Sequence, residues 1–532
     1  MVQSYENAYL TVYNLNFAFP KPNYRMETSG IRVRFAPSPT GPLHLGGVRT
    51  ALYNYLFARK FNGSFILRIE DTDQNRFVPG AEEYIIKSLQ WCGLEFDEGV
   101  MQGGPYAPYR QSERSGIYKD YVNILLEKNH AYLAFDTAAD LEDARTKLSQ
   151  GHDQFQYGIK TRMQMKNSLS MTADEVRSRI DRGDRYVIRI LIPENQMVVF
   201  HDLIRGEVNV HTDTLDDKVL FKSDGLPTYH LANVVDDYLM NISHVIRGEE
   251  WLPSAPMHLL LYRFFGWEDS MPRFAHLPLI LKPDGNGKLS KRDGDRLGFP
   301  VFPMEWEDPS THEISHGYRE DGYLPHAFIN MLALLGWNPG TEQEIFSIKE
   351  LTEAFSLDRI NKSGAKFDPP KAKWFNHKYV QLTPDTELFS YLEPSLQAKG
   401  IIVDPEYVFQ VISLIKERVE LLPDLWKNSA LFFLAPESYD QQVKQKIWQE
   451  GTAALLQEFA AAVNNLEVFD KDTLHSLVQE FTTGKNVKMG QLMNPLRLLV
   501  VGSNQGPGMM DIAALLGKKE LLARITTGLN KI

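Results

Sequence analysis

The chain has almost no cysteine. Cys92 stands alone in 532 residues, which excludes an internal disulfide and any thiolate-rich zinc site. It reads as a small core residue, and the scarcity of thiols fits a reducing compartment such as the cytoplasm. No apolar run approaches the roughly 18 residues needed to span a bilayer, so no membrane partner is expected. The first 30 residues hold only Lys21 and Arg25 as bases, which fits neither a secretory signal nor an Arg-rich transit peptide. Met26 stands just before the patterned region, so residues 1–25 are either a flexible tail or the product of an early start site. Positive charge is not in excess. A net charge of −11 argues against indiscriminate binding to nucleic acid, although clustered Lys and Arg can still form a local groove.

The length suggests about three to five units of 100–200 residues. With 43% hydrophobic and 23% charged residues, sizeable globular cores are affordable. "IRVRF" (31–35) alternates with period two and predicts a half-buried strand, which Pro37 and Pro39 end. Beyond Gly46 and Gly47, Val48, Ala51, Leu52, Tyr55 and Leu56 recur at helical spacing up to Asn62-Gly63. "SFILRI" follows as a second strand, with a crossover long enough for parallel pairing. His44 and the glycines thus fall at a helix N-terminus beyond a strand end. Backbone N–H groups and the helix dipole there favour phosphate, glycines allow close approach, and a histidine adds donors. A capping turn with an incidental histidine is the alternative reading.

"KLSKRDG" (288–294) supplies two lysines three apart among glycines. Such a run is most simply a solvated loop. Together with His44 it is a rare pair, because phosphoryl and nucleotidyl transfer need cations that meet charge as it develops.

These residues carry a resemblance. "HLGG" (44–47) is similar to the HIGH signature of class I aminoacyl-tRNA synthetases, and "KLSKR" (288–292) to their KMSKS signature. "RFAPSPTGPLHLGG", "RIEDTD", "LPTYHLANVVDD" and "VIRGEEW" together resemble glutamyl-tRNA synthetases of the bacterial and organellar type, from Ile31 to the C-terminus. Gly47 stands where HIGH has its second histidine, so a backbone N–H should face the nucleotide there. The resemblance implies that glutamate attacks the α-phosphate of ATP, with Mg²⁺ accompanying the nucleotide. The glutamyl-adenylate then esterifies the 3′ end of tRNA-Glu. Catalysis of this kind is positioning and charge stabilisation.

By that resemblance His44, Lys288 and Lys291 are the catalytic residues. His44, Gly46, Gly47, Glu250, Trp251, Lys288, Ser290 and Lys291 bind ATP. Arg34, Ser38, Glu70, Tyr229, Asn233 and Arg247 bind glutamate. Arg34 is matched to the side-chain carboxylate and Glu70 to the ammonium; Trp251 has plain core packing as its alternative. An arginine facing the amide of glutamine would lose its charge partner, which accounts for selection without an editing domain. No zinc is expected.

The implied architecture is α/β. A doubly wound, Rossmann-like catalytic domain is interrupted by an insertion and followed by an all-helical anticodon-binding region. The boundaries read as an N-terminal extension (1–29), a first catalytic half (30–108), an inserted acceptor-binding domain (109–212) and a second catalytic half (213–266). A stem-contact region with the KLSKR loop (267–375) and a helical anticodon-binding domain (376–532) follow. "KSGAKFDPPKAKWFNHK" (362–378) is either a phosphate-contact patch or a solvated linker. The segment 295–321 looks longer than the family's usual connection and has no assigned role. The helical tail separates the chain from glutaminyl enzymes with β-barrels there and from a truncated paralogue that modifies a tRNA base. Arg418 aligns loosely with an anticodon-reading arginine. The expected protein is a monomer. Two alternatives stay open: additional charging of tRNA-Gln, and a non-catalytic tRNA-binding protein that kept the fold.

Overall fold

The computed structural model describes residues 30–148, 155–290 and 293–532. The expected extension and Lys291 lie outside these residues. The chain divides into two compact units, residues 1–318 with 329–368, and residues 319–328 with 369–532.

In the first unit β1 (Arg32–Phe35) leads through helix α1 (Leu45–Lys60) to β2 (Ser64–Leu67), and β1, β2 and β3 (Glu98–Gly99) pair in parallel. The strand–helix–strand unit expected from the sequence is present. The alternation in β1 is not. Arg34 is 3% exposed, because an acid inside the fold receives it. Arg32 pairs instead with Glu98 through both terminal nitrogens, at 2.7 and 3.0 Å.

The inserted region forms an antiparallel sheet from β4 (Ala131–Ala134), β5 (Val187–Ile190) and β8 (Val219–Phe221), plus a hairpin of β6 (Met197–Asp202) and β7 (Gly206–His211). β8 pairs with β5, so the insertion's sheet runs past residue 212, into sequence read as the second catalytic half. That half resumes with the helix Tyr229–Leu239, β9 (His244–Gly248) and β10 (Arg273–Leu277), the two strands again parallel. β1 and β9 meet without a continuous ladder; the Ser243 N–H donates to the Arg32 carbonyl at 2.9 Å. The β6 end docks on β10, where the Leu203 N–H reaches the Phe274 carbonyl at 2.8 Å.

Residues 295–321 form a short antiparallel pair, Trp306–Glu307 with Ile314–Ser315, and Trp306 sets its edge against Tyr84 of the helix Ala81–Trp91. The Val301 carbonyl accepts the Leu45 N–H at 3.0 Å, so this segment also caps α1. Cys92 caps the C-terminal end of Ala81–Trp91 and is 6% exposed. Within 362–378, Ala365–Lys366 pairs in parallel with Ile280–Leu281 and Pro369 opens a helix, so the stretch is not an open linker.

The second unit is helical. Its helices include Pro405–Ile415, Thr452–Asn464 and Met509–Lys531, and Val411, Ile412, Phe459, Leu496 and Ile525 join in its core. Asp404 and Asp470 cap helices by accepting backbone N–H bonds. Gly517, at φ 81°, breaks the last helix.

Candidate active site

Beyond the carboxyl ends of β1 and β9 lies a cavity of about 410 Å³. Arg34, Ser38, His44, Gly46, Gly47 and Glu70 line one side; Tyr229, Asn233, Arg247, Glu250, Trp251, Lys288 and Ser290 complete it. Every described residue assigned from the catalytic motifs is brought together there.

The start of α1 is more fully occupied than a bare phosphate cradle. The Leu45 N–H goes to Val301, the Gly46 N–H to His44 Nδ1 at 2.9 Å, and the Val48 N–H to the His44 carbonyl. Gly47 keeps the one first-turn N–H with no partner among the described residues. Because Nδ1 accepts, the neutral His44 ring carries its proton on Nε2. The glycines also have a local reason to be small. A Cβ on Gly46 would sit 2.8 Å from the His44 ring, and one on Gly47 would sit 2.4 Å from Leu43.

Arg34 spends Nε and Nη2 on Asp237, at 3.0 and 3.2 Å. Arg68 bridges Asp237 and Glu70 at 2.8 and 3.0 Å, and Arg114 meets Asp236 at 2.8 Å. Three arginines and three acids thus form a buried network whose charges cancel. Burial alone would raise the Asp237 carboxyl, but Arg34 and Arg68 prevail and hold it below its ordinary range. Burial does win at Glu70, which sits above its range despite Arg68 and Arg34. Glu70 Oε1 accepts from Arg68 and Asn233; Oε2 has no partner among the described residues.

Arg247 is 5% exposed and touches no acid among the described residues. Its Nε donates to His276 Nε2 at 3.0 Å, and its Nη1 donates to Tyr229 Oη at 2.9 Å and lies 3.3 Å from His258 Nδ1. Trp251 is not core. It is 37% exposed and lies over the Tyr229 ring at 4.1 Å. Lys288 Nζ is 3.9 Å from Glu250, and Ser290 Oγ donates to Asp293 at 2.6 Å.

A catalytic-domain family of class I tRNA synthetases (E and Q) matches residues 30–374, and an anticodon binding domain family matches 387–529. Glutamate–tRNA ligases from Phocaeicola vulgatus and Porphyromonas gingivalis are 56% and 55% identical over 501 and 496 residues. These matches cover 94% and 93% of this chain, and 98% and 97% of the relatives. The chain belongs to the glutamate–tRNA ligase family. A solved glutamate tRNA ligase from Elizabethkingia meningosepticum, in complex with its amino acid, superposes with a TM-score of 0.91. It is 48% identical, and the match covers 94% of this chain and 99% of that one.

Several buried residues behind the cavity of this family member escaped the sequence reading. Asp236 and Asp237 follow Tyr229 and Asn233 at helical spacing, a polar stripe legible in "YHLANVVDD". His258, His276 and Asp202 gave no local signal. Asp71 and Asp73 of "EDTD" serve Ser112 and Arg76. No group of three His, Cys, Asp or Glu among the described residues could hold a metal ion, so no residue is assigned to the Mg²⁺ expected with ATP. Among the described residues no helix is long and apolar enough to cross a membrane. Arg418 lies in the second unit, exposed on the turn Lys416–Arg418.

Proposed function

We propose that this chain activates L-glutamate with ATP to glutamyl-adenylate and transfers it to the 3′ end of tRNA-Glu, in the cytoplasm. The observation that carries the reading is one cavity that joins the HLGG turn, the start of the KLSKR loop and a buried arginine with no acid partner among the described residues. His44 and the Gly47 N–H then face the phosphates. Glu250 and Trp251 lie by the ribose and base. Lys288, with Lys291, meets charge developing on the leaving pyrophosphate.

The bonding pattern favours exchanging the two arginines relative to the sequence assignment. The α end of glutamate is a zwitterion and suits surroundings whose charges cancel. Glu70 Oε2 takes the ammonium there, and Arg34 Nη1 the α-carboxylate. The side-chain carboxylate is the net charge that separates glutamate from glutamine, and it suits Arg247. A neighbouring cavity of about 550 Å³ shares Glu70, Tyr229 and Trp251 and is lined by Arg76, Arg145, Arg189, Lys218 and Lys222. It is the candidate path for the 3′ end of the tRNA.

Aminoacylation of purified tRNA-Glu and tRNA-Gln with labelled glutamate tests the reading. Charging of tRNA-Glu is expected. No charging of either tRNA would leave the non-catalytic alternative, and charging of both would make the enzyme non-discriminating.

A further inference from the structure

An arginine can only donate hydrogen bonds. Each imidazole on Arg247 must therefore present a bare nitrogen to it and carry its proton on the other one. For His276 that other nitrogen is Nδ1, which lies 2.6 Å from Asp202 Oδ2, and both side chains are fully buried. Asp202 is itself fixed, since its Oδ1 accepts the N–H groups of Ile204 at 3.0 Å and Arg205 at 2.8 Å. We propose that Asp202 and His276 are positioning residues that aim Arg247 at the substrate's side-chain carboxylate while leaving its charge uncancelled. The proposal rests on the assignment of Arg247 above.

The physical reason is a separation of two tasks. A carboxylate placed directly on Arg247 would orient it equally well, but it would also compete with the carboxylate of the substrate. A neutral imidazole orients the guanidinium through a lone pair alone. Asp202, one ring further away, selects the tautomer that exposes this lone pair. Burial holds the His276 ring below the ordinary histidine range, against the pull of Asp202, and so keeps Nε2 bare. The second imidazole follows the same logic. With Nδ1 accepting from Arg247, His258 carries its proton on Nε2, 3.3 Å from His230 Nδ1. Arg34 is built the opposite way, with Asp237 in direct contact.

Asp202→Asn is the discriminating variant. The amide oxygen keeps the backbone N–H bonds, and the NH₂ group then faces His276 Nδ1. The ring must accept there and move its proton to Nε2, against the Arg247 Nε–H. Pyrophosphate exchange is measured with tRNA-Glu present, for glutamate and for glutamine. Loss of a hydrogen bond to a charged group predicts about a tenfold or greater rise in KM for glutamate and a similar fall in the glutamate-to-glutamine ratio. The KM for ATP should stay within about twofold, because no ATP contact is touched. If Asp202→Asn does not fold, His276→Gln and His276→Met replace it. The first can accept from Arg247 and donate to Asp202 and should keep the ratio; the second should lose it. A merely structural role would lower thermal stability in these variants and leave the ratio alone. An unchanged ratio in Asp202→Asn or His276→Met, alongside collapse in Arg247→Gln, overturns the positioning role and leaves the Arg247 assignment standing. An unchanged ratio in Arg247→Gln overturns the assignment itself.

Discussion

Arg34 and Arg247 reach one cavity from β1 and β9, and both are almost wholly buried, at 3% and 5% exposure. Their surroundings differ in one respect. Arg34 belongs to a cluster in which every positive charge meets a negative one, whereas Arg247 is steadied by a phenol and two imidazoles. A cancelled charge serves architecture and can still offer one donor. An uncancelled buried charge is expensive to hold and pays off only when a ligand supplies the counter-charge. Residue type and burial alone would treat the two side chains as equivalent.

The sharpest way to break this comparison is Arg247→Gln. It should lower the specificity constant for glutamate roughly 10²–10³-fold and collapse the preference over glutamine, as expected when a buried carboxylate loses a partner. Steady-state pyrophosphate exchange in the presence of tRNA measures both. Arg34→Gln should instead act mainly on the fold, destabilising it by about 3 kcal/mol because Asp237 loses one of its two arginines. Its KM for glutamate should rise with little change in the ratio. In the Arg34→Gln/Asp237→Asn double variant, part of the stability should return; strictly additive losses in denaturant titrations would show that the pair is not coupled.

Acid sharpens the same contrast. Asp237 is held below its ordinary range, Arg34 and Arg68 prevailing over burial. Its contribution to stability is complete above the unfolded value of about 3.9 and is lost as pH falls through the lower folded value. Removing Arg34 raises that folded value. Arg34→Gln should therefore acid-unfold at a higher pH than the wild type, as circular dichroism would follow. Arg32→Gln is a smaller effect. Its pair with Glu98 is part-exposed, so a loss of about 1 kcal/mol is expected with the amino-acid preference intact. Smallest of all is zinc chelation, which should change nothing; stoichiometric zinc in the purified protein would refute this.

Local grammar made the α1 turn readable. Pro37, Pro39 and the Gly46-Gly47 pair mark a strand end and a helix start within a few residues, and His44 was found where they put it. What stayed hidden was long-range. Arg34 and Asp237 are 203 positions apart, and nothing near "IRVRF" announces an acid waiting for the second arginine. The alternation therefore predicted a half-buried strand, whereas Arg34 lies fully inside. One strand pairing stayed hidden for a related reason: Val219–Phe221 pairs with Val187–Ile190, which the sequence between them does not reveal. The same remoteness concealed Asp202, which ends the hairpin strand Met197–Asp202 and meets His276 behind Arg247. In the second unit the all-helical expectation holds, and its helices pack around a shared core.

The solitary thiol has a practical meaning of its own. Cys92 is buried at a helix end in the first unit, burial raises its pKa, and the second unit has no thiol to compete. A thiol-specific reagent added to the unmodified protein therefore reports a single event, the opening of the structure around residues 81–92. Its labelling rate is a clock for that opening, and its slowing on addition of glutamate or ATP would count how tightly ligand binding fastens the first unit shut.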